Sequence, residues 1–227
     1  METFIYGGAA CGIGIYAHIL RDSAYHPEGT ALKIYLLRHG RTAWNDEFRY
    51  QGISDTPLSS DGETELIPAG FLPDTVYASP LRRARRTAEL LFPGVCQKVI
   101  ADLAEMNFGV FEGRTAVEME RDSAYRAWVE GGCLGQCPGG EDRASFCERV
   151  CAAFVALVER TPDTAPLVIV AHGGVQMAVM ERFALPEKSY FSWISPKGGG
   201  YVLQRDAKLW TERRKLRYLK TVRYTQC

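Results

Sequence analysis

The sequence predicts an α/β fold, a three-layer sandwich with a mostly parallel central sheet flanked by helices. Three observations carry that expectation. Ala31–Leu37 and Leu167–Ala171 are short, continuous apolar runs of the kind that fill strands buried on both faces. Between such runs lie longer segments whose apolar residues recur at threes and fours, the helical period. Both of the strongest strand signals stop at His-Gly, and in open α/β sheets ligands collect beyond the carboxyl ends of strands.

Taken in order, ALKIYLL at 31–37 is the first strand. Leu58-Ser59-Ser60-Asp61-Gly62-Glu63 reads as a helix start, with Ser or Asp as the cap and acids in the first turn, cut short by Pro68 and Gly70. Thr75–Ala78 is a second strand, Pro80–Phe92 a basic helix and Val95–Ile100 a third strand. Thr115–Glu130 and Glu141–Arg160 have helical periodicity, with the glycine-rich stretch Gly131–Gly140 as a loop between them. A helix follows His172-Gly173-Gly174, and Gly200–Gln204 with Lys208–Thr211 form a terminal hairpin around Arg205-Asp206-Ala207.

The 227 residues are 46% hydrophobic and 24% charged, an ordinary globular composition sufficient for one sizeable core. The 27 basic and 27 acidic side chains cancel, so no global field draws the chain to nucleic acid or to an anionic membrane, and anion recognition must be local. METFIYGG has an acid and no basic n-region, and Phe4–Leu20 is interrupted by glycines, so neither a signal peptide nor a membrane span is expected and the expected location is cytoplasmic. The seven cysteines are scattered, which suits free thiols. Cys133, Cys137, Cys147 and Cys151 have a spacing open to a zinc site, but Cys147 and Cys151 fall four apart in a helical pattern, where small apolar residues occupy the buried face, and no metal is assigned.

The chemistry lies at the strand ends. Lys33–Asn45, KIYLLRHGRTAWN, sets two arginines around His39 where a buried strand runs out. Ala171-His172-Gly173-Gly174 repeats the arrangement, and Ala78-Ser79-Pro80 opens a helix carrying Arg82, Arg83, Arg85 and Arg86. Guanidinium forks match phosphate oxygens two at a time, and helix starts after Gly40 and Gly173 add backbone N–H donors. A neutral imidazole among them is equipped to attack phosphorus.

These motifs resemble the histidine phosphatase superfamily, the phosphoglycerate-mutase-like fold. The resemblance runs from Leu37-Arg38-His39-Gly40-Arg41-Thr42 through Gln51-Gly52 to Pro57-Leu58-Ser59, and on to Ser79-Pro80-Leu81-Arg82-Arg83-Ala84. It continues through Glu105-Met106-Asn107-Phe108-Gly109 and Phe111-Glu112-Gly113, then Pro138-Gly139-Gly140-Glu141 and Ala171-His172-Gly173-Gly174, in the family's order. It implies that His39 is the nucleophile that becomes phosphohistidine, that Arg38 and Arg83 clamp the phosphate and that His172 donates to a phosphate oxygen. It implies Glu105 as the general acid and then base, and Asn45, Gln51, Gly52 and Gly173 as phosphate or substrate contacts. Neither a metal nor another cofactor is required, because arginines do the charge work. For His39 to attack, its other ring nitrogen should donate to a backbone carbonyl, and Glu105 must begin protonated.

Arg82, Arg85 and Arg86 read as a solvated helix face, and Trp44 as core, while Tyr125 and Trp128 are open between core and substrate pocket. Arg86, Asp142 and Gln176-Met177 depart from the family pattern without touching the main set. His18 and His26 have no partner motif. Residues 31–227 are the expected histidine phosphatase domain. Residues 1–30 are an extension whose Gly7–Gly14 stretch has the spacing of a phosphate-binding loop without its Lys and hydroxyl, and which is similar to the start of adenosylcobinamide kinase. Tyr190–Trp193 and Gly198–Tyr201 look similar to α-ribazole phosphatase relatives. The expected partner is therefore a small phosphomonoester, with α-ribazole 5′-phosphate of cobalamin assembly as the favoured substrate. No nucleic acid or membrane partner is expected, and a homodimer is compatible with the sequence. A cofactor-dependent phosphoglycerate mutase and a non-catalytic phospho-ligand binder are the alternatives.

Overall fold

The computed structural model describes residues 31–226, so the expectations for residues 1–30, with His18 and His26, lie outside the described residues. The strands are β1 (Lys33–Arg38), β2 (Thr75–Ala78), β3 (Cys96–Val99), β4 (Leu167–Ala171), β5 (Ala184–Leu185), β6 (Gly199–Gln204) and β7 (Leu216–Arg223). The helices are α1 (Ala43–Asp46), α2 (Ser60–Thr64), α3 (Arg82–Leu91), α4 (Ser123–Glu130), α5 (Arg143–Arg160), α6 (Gly173–Phe183) and α7 (Ala207–Arg213). Among the described residues the strands form one seven-stranded sheet in the order β3-β2-β4-β1-β6-β7-β5. Its β3, β2, β4 and β1 are parallel, β6 runs antiparallel to both β1 and β7, and the short β5 pairs parallel with β7.

Alternation along the central strands builds two cores. Leu37, Val168 and Val170 face α3 with Ala84, Ala88 and Leu91, while Ile34, Leu36, Leu167 and Ile169 face α5 and α6 with Phe154, Val158 and Val179. All five residues of β4 are buried, which is why that segment reads as an unbroken apolar run. Helix starts follow the local chemistry. Ser59 accepts from Gly62 N–H, Asp122 from Ala124 and Tyr125, Asp142 from Ser145 and Asp206 from Leu209. No helix of the described residues is long and apolar enough to cross a membrane.

Two expectations need correction. The helix expected over Thr115–Glu130 begins only at Ser123. Thr115 N–H donates to the Glu118 carboxylate and Glu118 N–H to Thr115 Oγ1, which closes a tight local turn, Arg49 binds Glu118, and Asp122 caps a fresh helix. The terminal hairpin is replaced by β6, α7 and β7. Asp206 caps α7, Trp210 is buried against Phe183 with ring centroids 5.7 Å apart, and Arg214 in the left-handed region ends the helix before β7 returns along β6. The other expected strands and helices are present, with ends shifted by a residue or two.

Candidate active site

Register brings the predicted residues together. Arg38 pairs with Ala171 and Ala78 with Val170, so β1, β4 and β2 end side by side. His39 N–H donates to Ala171 O at 2.9 Å and Ser79 N–H to Val170 O at 3.0 Å, which extends the pairing one residue into the site. His39, His172 and Ser79 thus leave neighbouring strand ends, and the two imidazole centroids are 5.2 Å apart.

His39 is buried, and its Nδ1 lies 2.7 Å from Gly40 O, a contact that requires the N–H on that nitrogen and leaves Nε2 with a lone pair. Burial, then the Arg83 and Arg38 charges, holds the ring well below its ordinary value, against a weaker opposite pull from the Gly40 carbonyl. The nucleophile candidate is neutral across the physiological range. His172, fully buried, places Nε2 2.6 Å from Ser79 Oγ and is lowered in the same way by burial, Arg83, His39 and Arg38.

The arginines are fixed from behind. Arg83, with 1% of its surface exposed, donates from Nη1 to Ser54 O at 2.8 Å and from Nη2 to Gly52 O at 2.7 Å. Burial lowers it to about 10, which still leaves it cationic at neutral pH. Arg38 Nη1 donates to Ser195 O at 2.9 Å. Arg38 Nε, Arg83 Nε and His172 Nδ1 are buried and have no hydrogen-bond partner within the protein. Three buried nitrogens left unpaired near the candidate nucleophile are costly unless a ligand completes them, and a phosphate has the oxygens to do so.

Glu105 comes from the loop before the 3₁₀ turn at Gly109–Phe111. Its Oε2 accepts from Gly174 N–H at 3.0 Å, at the start of α6, and its Oε1 from Met106 N–H at 3.0 Å. A Cβ at 174 would stand 2.2 Å from Glu105 Oε1, so a larger residue there must push that carboxylate aside. A Cβ on Gly173 would lie 3.2 Å from the Arg38 guanidinium carbon. Gly52 contributes its carbonyl to Arg83, and its φ of +29° suits glycine. Asn45 and Gln51 stand farther back in one chain of bonds. Asn45 Nδ2 and Thr42 Oγ1 both donate to Gln51 Oε1 at 3.1 Å, and Gln51 Nε2 donates to Thr56. Asn45 also closes a capping box with Thr42.

Several contributors were not legible as motifs. Gln176, treated above as a departure away from the main set, is fully buried. It donates to Leu36 O at 2.8 Å and accepts from Ser195 Oγ, so it fixes the residue whose carbonyl holds Arg38. Glu112 accepts from Ile53, Ser54 and Phe108 N–H groups and from Ser54 Oγ, tying down the loop that grips Arg83. Arg149 reaches the Asp102, Ala104 and Glu105 carbonyls while paired with Glu141 at 2.8 Å. Lys197 lies next to Gly198, whose N–H donates to His39 O at 3.0 Å, and its charge also depresses the His39 imidazole. Gln176, Arg149 and Lys197 are identified only by position in the fold, whereas Glu112 lies in the Phe111-Glu112-Gly113 motif and only its bonding role was not legible.

Beside Glu105 and Arg38 opens a cavity of about 280 Å³. Tyr50, Met106, Phe108, Trp128, Met177, Phe191 and Ile194 give it an apolar, largely aromatic wall, and Cys133, Arg143 and Tyr190 complete it with Gly173 and Gly174. Trp128 lines it, whereas Tyr125 packs behind, its hydroxyl 3.0 Å from that of Tyr50. Trp44 is only partly buried and covers Gly113, so it is not core. Arg82, Arg85 and Arg86 are exposed, Arg86 paired with Glu63 at 2.8 Å. Cys151 is buried on α5, with its Sγ against Ala178 O of α6.

The chain is similar to known proteins in sequence and fold. Residues 34–215 match the model of the histidine phosphatase superfamily, branch 1. A protein of Klebsiella pneumoniae subsp. pneumoniae, named probable phosphoglycerate mutase GpmB, is 38% identical over 151 residues, covering 63% of this chain and 70% of the relative. A crystal structure of phosphoglycerate mutase from Thermus thermophilus superposes with a TM-score of 0.62 at 30% identity, covering 84% of this chain and 98% of that one. The α-ribazole phosphatase from Shigella flexneri gives a TM-score of 0.69 over 84% of this chain and 96% of that one, and at 24% identity it is evidence for the shared fold alone.

Proposed function

The chain belongs to the histidine phosphatase superfamily, and on that premise we propose that it is a phosphomonoester hydrolase working through a phosphohistidine on His39. The observation that carries this is the neutral, buried His39, its Nδ1 committed to Gly40 O, surrounded by unpartnered nitrogens of Arg38, Arg83 and His172. Nε2 attacks phosphorus, and the P–O bond to the leaving alcohol breaks as the N–P bond forms. The two guanidinium groups and His172 take the equatorial oxygens, where charge accumulates. Glu105, as general acid, gives a proton to the departing oxygen. Its carboxylate then takes a proton from water, which attacks the phosphohistidine and releases inorganic phosphate and free His39.

The substrate is a small phosphorylated metabolite whose leaving group has a flat apolar part. The aromatic wall of the cavity supports this choice over a three-carbon acid, which would leave Tyr50, Phe108 and Trp128 uncovered. α-Ribazole 5′-phosphate, whose base is an aromatic bicycle, is the favoured candidate, and a role in cobalamin assembly follows from it.

Phosphate release from a panel containing α-ribazole phosphate, sugar phosphates, phosphoserine and p-nitrophenyl phosphate tests the proposal. Turnover absent in His39→Ala, with acid-labile phosphate trapped on the wild-type chain, is the expected result. A mutase is the rival because relatives carry that name. Isomerisation of 3-phosphoglycerate in the presence of a trace of bisphosphoglycerate, without phosphate release, would decide for it. No turnover of any phosphomonoester would favour a binding protein.

A further inference from the structure

We infer that Arg143 determines leaving-group specificity: its guanidinium receives a hydrogen-bond acceptor carried on the substrate's leaving group, away from the ester oxygen. The inference rests on the proposed hydrolase reading and adds to it a polar requirement that the aromatic wall alone does not impose.

Arg143 is the first residue of α5, and its side chain enters the same cavity as Arg38 and Glu105. It lies toward the mouth, since the guanidinium carbon stands 4.9 Å from the Tyr190 ring centroid and 5.6 Å from that of Phe191, and Phe191 is 52% exposed. The two rings orient the guanidinium without using its N–H groups, a preorganised fork. Among the described residues its side chain has neither a carboxylate within ion-pair distance nor a hydrogen-bond acceptor. Of the other arginines around the site, Arg149 is committed to Glu141 and backbone carbonyls, while Arg83 and Arg38 are anchored on carbonyls and keep their free Nε groups for the phosphoryl group.

A partly buried cation with five unused donors in an apolar cavity is unfavourable for apolar ligands, because desolvating it has no return. It is favourable for a ligand that brings an acceptor past the aromatic wall. The class so defined is a phosphomonoester with a flat apolar body bearing a ring nitrogen, carbonyl or carboxylate, the carboxylate being the strongest member. Arg143 lies apart from the phosphate-holding residues, so it reads the alcohol and not the phosphoryl group.

The test compares benzyl phosphate with 4-carboxybenzyl phosphate, which share body and ester chemistry. In the His39→Ala background, where both remain intact, calorimetry should give a Kd for the carboxylated probe about 10-fold lower or more, on the scale of one charge-assisted hydrogen bond. Adding Arg143→Met should bring the two Kd values together, mainly by weakening the carboxylated probe. The same preference should appear as a kcat/KM ratio in the chain with His39 intact and vanish in Arg143→Met, whose turnover of benzyl phosphate shows that it is folded. Equal affinities in the presence of Arg143, a preference that survives its removal, or no binding of the carboxylated probe would each overturn the inference. Failure of the hydrolase reading is read separately, as absence of phosphate release from both probes by the wild-type chain, and the Kd ratio remains measurable in that case.

Discussion

Replacing Glu112 by Gln should damage the site from outside it. The carboxylate takes Ile53 N–H at 2.9 Å and Phe108 N–H at 3.0 Å on Oε1, and Ser54 N–H at 2.7 Å with the Ser54 hydroxyl on Oε2. An amide has one carbonyl oxygen. Whichever way it turns, its NH₂ faces two donors that lose their acceptor, and the remaining two bonds lose the charge. Hydrogen bonds to a charged group are each worth about 1.5–3 kcal/mol; with the group only half-buried, a total of roughly 2–4 kcal/mol is expected. For a domain of this size that corresponds to a fall in Tm of roughly 5–15 °C. Activity should suffer even well below that Tm. Ser54 O and Gly52 O are the acceptors that aim Arg83, so a loosened loop misplaces the guanidinium, and a shift of the order of 1 Å costs about 10²-fold in kcat/KM. The assay pairs thermal unfolding with phosphate release at a temperature where both proteins are folded. A double-mutant cycle with Arg83→Met separates positioning from general damage, because the two losses should be far from additive if Glu112 acts through Arg83. Additive losses, or a folded Glu112→Gln within threefold of wild type, would refute the reasoning.

Three further outcomes follow from the same geometry. His39 and His172 are both held below their ordinary value, so the unfolded chain binds their protons first; stability should be complete above pH about 6.5 and fall below it by about 1.4 kcal/mol per pH unit for each ring, and urea melts that stay level between pH 7 and 5 would contradict this. Gly174→Ala brings a Cβ to 2.2 Å from Glu105 Oε1, and steady-state kinetics should record a kcat loss of about 10²-fold from displacement of that acid. Arg83→Lys keeps a charge but not the fork that reaches two carbonyls, so it should lose about 10²- to 10³-fold in kcat/KM, and rescue to near wild-type rates would argue against a bidentate role.

The fold was legible where burial leaves a continuous signature. β4 is buried along its whole length and β1 at Ile34, Leu36 and Leu37, and each stops at a histidine that register alone makes neighbours. Legibility failed where short-range polar bonds overrule periodicity, as at Thr115–Asp122, and where a capping Asp converts an expected strand into α7. Within the candidate site, the residues gathered at the strand ends lie in ordered motifs. Their supports mostly do not, Glu112 of Phe111-Glu112-Gly113 being the exception. Gln176, Ser195, Glu112 and Arg149 act through backbone carbonyls and amides supplied by distant segments, a relation that no local window contains. His39 met its sequence requirement directly, since its Nδ1 finds the carbonyl of the next residue.

The cavity wall and the phosphate cradle have different structural origins. The cradle stands on parallel strand ends locked by ladder bonds, whereas the wall is drawn mostly from segments between strands: Tyr50, 106–108, 128–143 and 190–194. Loops tolerate exchange far better than ladders do. Selectivity can therefore drift while the reaction stays constant, and grafting the 128–143 and 190–194 segments between relatives should transplant substrate preference without retuning the nucleophile. Under the proposed reading, kinship in this fold speaks to the histidine chemistry at phosphorus and little to whose phosphorus it is.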